Sequence, residues 1–235
     1  MTTSLRSLIY VLMLPAIYSV SSAAAANSWE EAEAKVKKNP LKDAYFGETH
    51  VHTGVSMDAF IAGNRLTPED AYRFAKGEKM MVNGSMHRIK RPLDFVAVTD
   101  HSEFMGEAYS LMNEGAPGYD HEIAKAFREA QDLTTALKLY NQYVLTPLAG
   151  SGSPHPDFYQ GTEAVKSTWQ KNIEATEAHY EPGKFTTIHA YEWTSAPGGA
   201  NQHRNILFRD TNLPDVPFSS NEGSRPEQLW AWMKS

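Results

Sequence analysis

The chain has 235 residues, a net charge of −6 and no cysteine. An acidic sequence without a basic run has no electrostatic footprint for nucleic acid, so we expect no nucleic-acid partner. Without cysteine, disulfides and thiolate metal sites are excluded, so any transition metal must be held by histidine and carboxylate.

Residues 1–26 have the order of charges and apolar residues that is typical of a secretory signal peptide. Arg6 precedes an apolar stretch over 8–20, and a run of small residues then ends in the cleavage pattern Ala24-x-Ala26. The apolar stretch is shorter than the roughly 20 residues that a membrane span needs. We therefore expect cleavage, no stable membrane anchor and a periplasmic or secreted protein. An uncleaved N-terminal anchor is the alternative.

Residues 27–42 are charged and favour helix, and we interpret them as a lead-in to a domain over 43–235. The first element of that domain is predicted to be a strand over 44–52, where aromatic and β-branched residues are enriched. A helix is predicted from Thr67 to about Gly77, because threonine is a favoured N-cap and proline follows it at the first helical position.

The rest of the chain is predicted to alternate between strands and helices. A near-continuous apolar run over 94–99 is typical of a parallel strand that is covered on both faces. The further predicted elements are helices over about 120–145 and 162–180 with a loop at 150–156 between them, strands over 185–193 and 204–208, and a last helix opened by a capping box from Ser224 to Glu227.

This alternation favours a parallel α/β arrangement, most simply a barrel or an incomplete arc of one. The pattern stops after four strands, which would leave the edge of a barrel unpaired. We therefore expect the chain to be the N-terminal part of a larger domain.

Chemically distinctive residues occur at or beside each predicted strand. His50 and His52 alternate along the first strand, so both imidazoles can reach one ion, although such pairs are more often ordinary polar residues. Asp100 and His101 follow the second strand, and sites in parallel α/β folds are built at the carboxyl ends of strands. The aspartate could bind a metal, orient a ligand or simply cap the strand.

The third and fourth predicted strands add one candidate each. Glu192 follows an apolar and aromatic run, where a desolvated acid requires a positive partner such as a metal ion. His203 lies beside the fourth strand, but it precedes the apolar run instead of following it. Four such coincidences in series favour a metal centre over four unrelated polar residues.

Three motifs resemble a known family in order, context and spacing. They are Tyr45-Phe-Gly-Glu-Thr-His-Val-His-Thr53, Pro92-Leu-Asp-Phe95 leading to Thr99-Asp-His-Ser-Glu103, and Tyr191-Glu-Trp-Thr-Ser195. They resemble the PHP (polymerase and histidinol phosphatase) superfamily of phosphoesterases and, more narrowly, domain-of-unknown-function family 3604. The resemblance implies a distorted (β/α)7 barrel, incomplete in this chain, since a later His and an Asp-x-His pair of the superfamily are missing.

The resemblance also implies roles for particular residues. It implies metal ligands at His50, His52, Asp58, His101, Glu192 and His203. It implies catalytic roles for Asp100, which would orient a ligand, and for Glu103, which would act as an acid or base or as a further ligand. The remaining histidines, His87, His121, His155 and His179, are expected to be solvated, and His189 is expected on the strand face opposite to Glu192.

Imidazole and carboxylate ligands in this number suit two or three divalent ions of zinc, manganese or iron. Such ions bring a bound water to ionise near neutrality, which suits cleavage of phosphoesters by a metal-bound hydroxide. We therefore expect an exported metal-dependent hydrolase of a small-molecule ester. A hydrolase of another bond, such as a sulfate ester or an amide, and a non-catalytic periplasmic metal-binding protein are the alternatives. The sequence leaves the oligomeric state open, and also whether this piece alone is active.

Overall fold

The computed structural model describes residues 30–82, 84–116, 118–145, 161–197 and 200–235. The predicted signal peptide at 1–26 and the predicted loop at 150–156 lie outside these ranges. The chain divides into two compact units, Met1–Lys37 and Lys38–Ser235. In the first unit, the described residues include a helical turn at 30–33. Across the described ranges, no helix combines the length and apolarity that crossing a membrane requires.

The strands of the second unit form three sheets in the described part of the chain. A parallel sheet has the order β1-β4-β5, one antiparallel hairpin is β2-β3, and another is β6-β7. The bounds are β1 Gly47–Val51, β2 Met80–Val82, β3 Ser85–His87, β4 Phe95–Val98, β5 Thr186–Ile188, β6 Ala190–Ser195 and β7 Gln202–Leu207. The unit is therefore a mixed α/β structure with a parallel sheet.

The parallel sheet contains the first two strands that the sequence predicts. Val96, Ala97 and Val98 of β4 are all buried, as the apolar run indicated. At the start of the β1-β4 ladder, Gly47 pairs with Phe95. A Cβ atom on Gly47 would lie 2.3 Å from the carbonyl oxygen of Phe95, so this close approach of two backbones requires glycine.

The predicted third strand is split in two. β5 ends at Ile188 and β6 begins at Ala190, with His189 between them. β6 nevertheless continues beside β4, because the Glu192 N–H donates to the Asp100 carbonyl (3.0 Å) and the Ser102 N–H donates to the Glu192 carbonyl (2.9 Å). The carboxyl end of β1 and the residues after β4 therefore meet Glu192 of β6 at one edge.

The fourth strand departs from the predicted parallel arrangement, because β7 runs antiparallel to β6. Only residues 196–201 connect the two strands, whereas a parallel crossover needs a dozen residues or more. The hairpin places His203 opposite Thr194. The beginning of β7 thus lies beside the end of β6, which explains why His203 precedes its apolar run.

Helices connect the strands and pack beside the parallel sheet in the described part of the second unit. They are α1 Met57–Ile61, α2 Pro68–Ala75, α3 Met105–Met112, α4 Glu122–Glu129, α5 Leu133–Tyr140, α6 Thr162–His179 and α7 Pro226–Trp232, with a π-helix at Asn141–Leu145. The helix predicted over 120–145 is wrong in its continuity. A carboxylate oxygen of Asp132 accepts a hydrogen bond from the Thr135 N–H (2.8 Å) and so caps a new helix inside the predicted one.

The two predicted N-caps had different outcomes. The Thr67 hydroxyl accepts from the Asp70 N–H at the start of α2, so that prediction is confirmed. The box predicted from Ser224 to Glu227 is displaced by one residue, and Gln228 accepts from the Arg225 N–H (3.0 Å). Pro226 occupies the first helical position, where its missing N–H costs nothing, and this makes the preceding arginine the N-cap.

Three hydrophobic clusters support the shared edge of the strands. Tyr72 packs against Val96 and Val98 between α2 and the parallel sheet. Trp169 and Trp193 lie in a second cluster, between α6 and the β6-β7 hairpin. Phe60 and Phe104 join α1 to the residues just before α3 in a third. Each cluster includes residues adjacent to candidate ligands, so the backbone that carries these ligands is held in place by hydrophobic packing.

Candidate metal centre

Glu192 is the hub of the candidate site. It lies in β6, and its side chain is 0% exposed. One oxygen, Oε2, lies 3.1 Å from His50 Nε2, 2.7 Å from His52 Nε2 and 3.8 Å from His101 Nε2. The other, Oε1, lies 2.5 Å from His203 Nδ1. A single buried carboxylate is therefore surrounded by four imidazoles.

The two histidines of β1 reach this carboxylate because alternate residues of a strand point to one face. His50 is 52% exposed, whereas His52 is only 14% exposed. On its other side, His52 Nδ1 lies 2.8 Å from Asp58 Oδ2, in the first turn of α1. The geometry is thus consistent with the expectation that His50 and His52 belong to one centre.

His101 reaches the site from the residues after β4. Its Nε2 lies 3.7 Å from Asp58 Oδ2 and 3.8 Å from Glu192 Oε2, while its Nδ1 lies 3.6 Å from Glu103 Oε2. Its position is fixed by the Ser56 hydroxyl, which accepts from the His101 N–H (3.1 Å). The histidine therefore has carboxylates at both ring nitrogens.

These contacts change the affinity of the centre for protons. Burial by itself would lower the pKa of His52, but Asp58 and Glu192 raise that pKa to about 9. Burial likewise opposes charge on His101, but Asp58 and Glu103 raise its pKa to about 10. The cluster as a whole is strongly attractive to positive charge.

The same contacts act in reverse on the carboxylates. Burial would raise the pKa of Glu192, but His52 and His101 lower it to about 2. Burial would also raise the pKa of Asp58, and His101 and His52 instead hold it well below its usual range. Both carboxylates therefore stay ionised at neutral pH and can bind a cation.

The donor set fits a divalent metal ion. Three overlapping groups each bring three ligand atoms within 4.8 Å of one another, and these groups are His50-His52-Glu192, His52-Asp58-His101 and His101-Glu192-His203. His52 Nε2 and Glu192 Oε2 lie 2.7 Å apart. A single divalent ion could therefore contact both atoms once the imidazole has lost its proton.

The two residues with an expected catalytic role lie at different places. Asp100 is fully buried beneath the centre, where Oδ1 accepts from the Thr53 N–H (2.6 Å) and Oδ2 accepts from the Thr53 hydroxyl (2.8 Å). Burial raises the pKa of Asp100 to about 6, against these two hydrogen bonds. Glu103 instead borders the centre through His101. Among the described contacts, the Asp100 carboxylate therefore holds Thr53, just after β1, and does not contact a histidine.

Sequence reasoning missed two hydroxyl groups of the site. The Thr194 hydroxyl lies 3.1 Å from Glu192 Oε1 and 3.0 Å from His203 Nδ1. The Ser56 hydroxyl lies 3.5 Å from His52 Nδ1, besides accepting from the backbone of His101. Thr194 shares a strand face with Glu192 because it is two residues away, so alternation could have identified it. Nothing in the local sequence marks Ser56.

Other histidines lie outside the three groups. His87 is exposed on β3, His121 accepts from the Ile123 N–H at the start of α4, and His179 stacks on Tyr72. Burial lowers the pKa of His189 to about 4, so its ring is neutral. His155 lies outside the described residues.

A family model described as "Protein of unknown function (DUF3604)" matches residues 39–235, which is most of the chain. Comparison with curated proteins gives no match, and neither does comparison with solved structures. The family match includes every residue of the three ligand groups.

Proposed function

We propose that this chain, which belongs to the DUF3604 family, is a metal-dependent hydrolase that cleaves phosphate esters at the centre around Glu192. The observation that carries the proposal is the convergence of four imidazoles on one buried carboxylate, with a second carboxylate at two of the rings. We place the chain in the PHP superfamily, with a PHP-like barrel, on the resemblance of its three motifs.

The ligands of two or three ions of zinc, manganese or iron would come from the three groups around Glu192. Clustered divalent ions bring a water to ionise near neutrality and stabilise negative charge on oxygen. Glu192 belongs to two of the groups and presents a different oxygen to each side of the site. It is therefore suited to link neighbouring ions.

Other residues would orient the ligands and form the opening for substrate. Asp58 accepts at Nδ1 of His52, which leaves the Nε2 atom of that ring directed at the centre. His50 and His203, 52% and 44% exposed, form the open side through which a substrate can approach. Thr194 holds His203 and Glu192 together at this opening.

The charge of the centre favours an anionic substrate. Asp58, Asp100, Glu103 and Glu192 supply four negative charges when ionised, which two divalent ions balance, and a third ion adds an excess of two positive charges. A centre loaded with three ions would therefore carry a net positive charge. A phosphate ester brings the complementary charge, and an uncharged amide does not.

The test is metal content and turnover of the full chain. Wild-type protein should retain at least two ions of zinc or manganese after dialysis and should hydrolyse an aryl phosphate. The double substitution His50→Ala and His52→Ala should remove most of the metal, whereas His87→Ala, at an exposed histidine of β3, should remove none. Metal retention by the double variant would overturn the site.

Substrate and function class are separated by the same preparation. If the protein hydrolyses an aryl sulfate but not an aryl phosphate, the result would contradict the phosphoesterase proposal and support a sulfatase. Stoichiometric metal without turnover of either ester would favour a non-catalytic metal-binding protein.

The proposal includes export to the periplasm or the medium. It rests on the charge and hydrophobicity pattern of residues 1–26, which predicts cleavage after Ala26. N-terminal sequencing of the exported protein should therefore give Asn27 as its first residue or one close to it. Protein that still begins at Met1 in that fraction would contradict the export proposal and leave the metal centre unaffected.

A further inference from the structure

We infer that Glu103 is a positioning residue for His101, holding its ring with the proton on Nδ1 and leaving Nε2 for the metal ion. The inference rests on the metal centre proposed above. It assigns to Glu103 neither a ligand bond nor proton transfer to substrate, which are the roles that the family resemblance implies for it.

The carboxylate of Glu103 is held in place by three donors. Its Oε1 atom accepts from the Thr194 N–H (2.9 Å), the Ser220 N–H (3.0 Å) and the Ser102 hydroxyl (3.3 Å). The residue is 6% exposed. With main-chain donors from two separate segments on one oxygen, the side chain has little freedom to swing toward an ion.

The second oxygen of Glu103 faces the imidazole. Oε2 is buried and accepts no hydrogen bond in the described part of the chain, and His101 Nδ1 lies 3.6 Å from it. Leaving a buried carboxylate oxygen without a hydrogen-bond donor costs free energy. A proton on His101 Nδ1, directed at Glu103 Oε2, is therefore favoured. The Nε2 atom of the same ring faces Asp58 and Glu192.

A second histidine of the centre has the same arrangement. His52 Nδ1 lies 2.8 Å from Asp58, and its Nε2 lies 2.7 Å from Glu192. Each of the two most buried imidazoles thus has a carboxylate at Nδ1 and the hub at Nε2. A carboxylate partner of this kind fixes the tautomer and increases ligand basicity, and its loss typically weakens metal binding by about 10- to 100-fold.

Glu103 also contacts the segment before α7, so an alternative role must be separated from positioning. Besides the Ser220 bond, the Asn221 side chain donates to the Glu103 carbonyl (2.9 Å). Glu222 braces the same segment by accepting from the Ser219 N–H and hydroxyl. Glu222→Gln therefore disturbs this segment with the same loss of charge but without a contact to His101.

The decisive variant is Glu103→Gln. Its amide carbonyl can accept from Thr194 and Ser220 as before, but its NH₂ group then faces the Nδ1 proton of His101, so two donors oppose each other. Zinc affinity of the full chain, measured by competition with a chelating dye, should fall about 10- to 100-fold. Glu222→Gln should stay within about twofold of wild type, because it leaves the ring contacts intact.

A spectroscopic measurement on the wild type keeps the test independent of folding of the variant. In ¹⁵N-¹H spectra of the zinc-loaded protein, His101 should be bound through Nε2 and carry a proton on Nδ1. Binding through Nδ1, or equal zinc affinity for Glu103→Gln and Glu222→Gln, would overturn the inference while leaving the metal centre in place. If wild type binds no zinc at all, the proposed function fails first.

Discussion

Replacing Glu192 by glutamine should remove the hub of the centre while preserving its shape. Two of the three ligand groups contain Glu192, so only the group of His52, Asp58 and His101 stays complete. We therefore expect Glu192→Gln to bind at most one ion. The amide oxygen can still accept from the Thr194 hydroxyl, so loss of metal is not expected to arise from loss of the strand.

The expected size of the effect follows from linkage between binding and stability. Zinc at a hundredfold excess over Kd stabilises the wild type by about 2.7 kcal/mol, and a hundredfold weaker site keeps about 0.4 kcal/mol at the same zinc concentration. For a domain of this size, the rise in melting temperature should fall from roughly 5–11 °C to about 1 °C. Paired melting curves with and without zinc, together with metal content, measure both quantities. A Glu192→Gln protein that keeps two ions and the full rise would refute the assignment of Glu192 as the hub, and Glu222→Gln is the control.

Two further predictions concern pH and the buried aspartate. Because the pKa of His52 is about 9 and that of His101 is about 10, protons compete for both rings below these values, so zinc affinity should rise between pH 6 and 9 by up to about two log units per pH unit. In the metal-free protein, folding stability has the opposite dependence on pH, because the stability that the raised pKa values of His52 and His101 provide is complete below the unfolded value of about 6.5 and is lost as pH rises through 9–10. Melting curves of the metal-free protein that stay flat from pH 7 to 10 would contradict the raised pKa values on which both statements rest. The Asp100→Asn variant should fold and bind zinc like the wild type, because the Thr53 hydroxyl can reorient to accept a hydrogen bond from the new amide. The Asp100→Ala variant leaves the Thr53 N–H unpaired, so its free energy of unfolding, measured with denaturant, should fall by about 1–3 kcal/mol. Equal stability of these two variants would show that the Thr53 contacts do not matter.

Much of the site could be predicted because its residues follow simple strand rules. His50 and His52 share a face by alternation, and His101 follows a buried parallel strand. Each of these inferences needs only local sequence. The three histidines accordingly lie at one edge, within reach of Glu192.

The rest of the fold depended on interactions that local patterns do not contain. The antiparallel direction of β7 is set by the short connection after β6, and the alternation of strands and helices along the sequence does not reveal it. The break at Asp132 reflects a side-chain cap that competes with helix continuation. Ser56 joined the site only because folding brings it beside the backbone of His101, 45 residues away.

The hub also determines when the centre can exist during folding. The contact between His50 and Glu192 spans 142 residues, and that between Asn205 and Thr49 spans 156. Closing such long loops is slow, so we expect the ligands of the proposed centre to meet late in folding. The unfolded chain meanwhile carries nine histidines, which can bind ions in many wrong combinations and thereby stabilise unfolded states. If the centre binds metal as proposed, an ion that binds before the ligands have met should therefore retard folding, whereas an ion that binds afterwards should stabilise the folded chain.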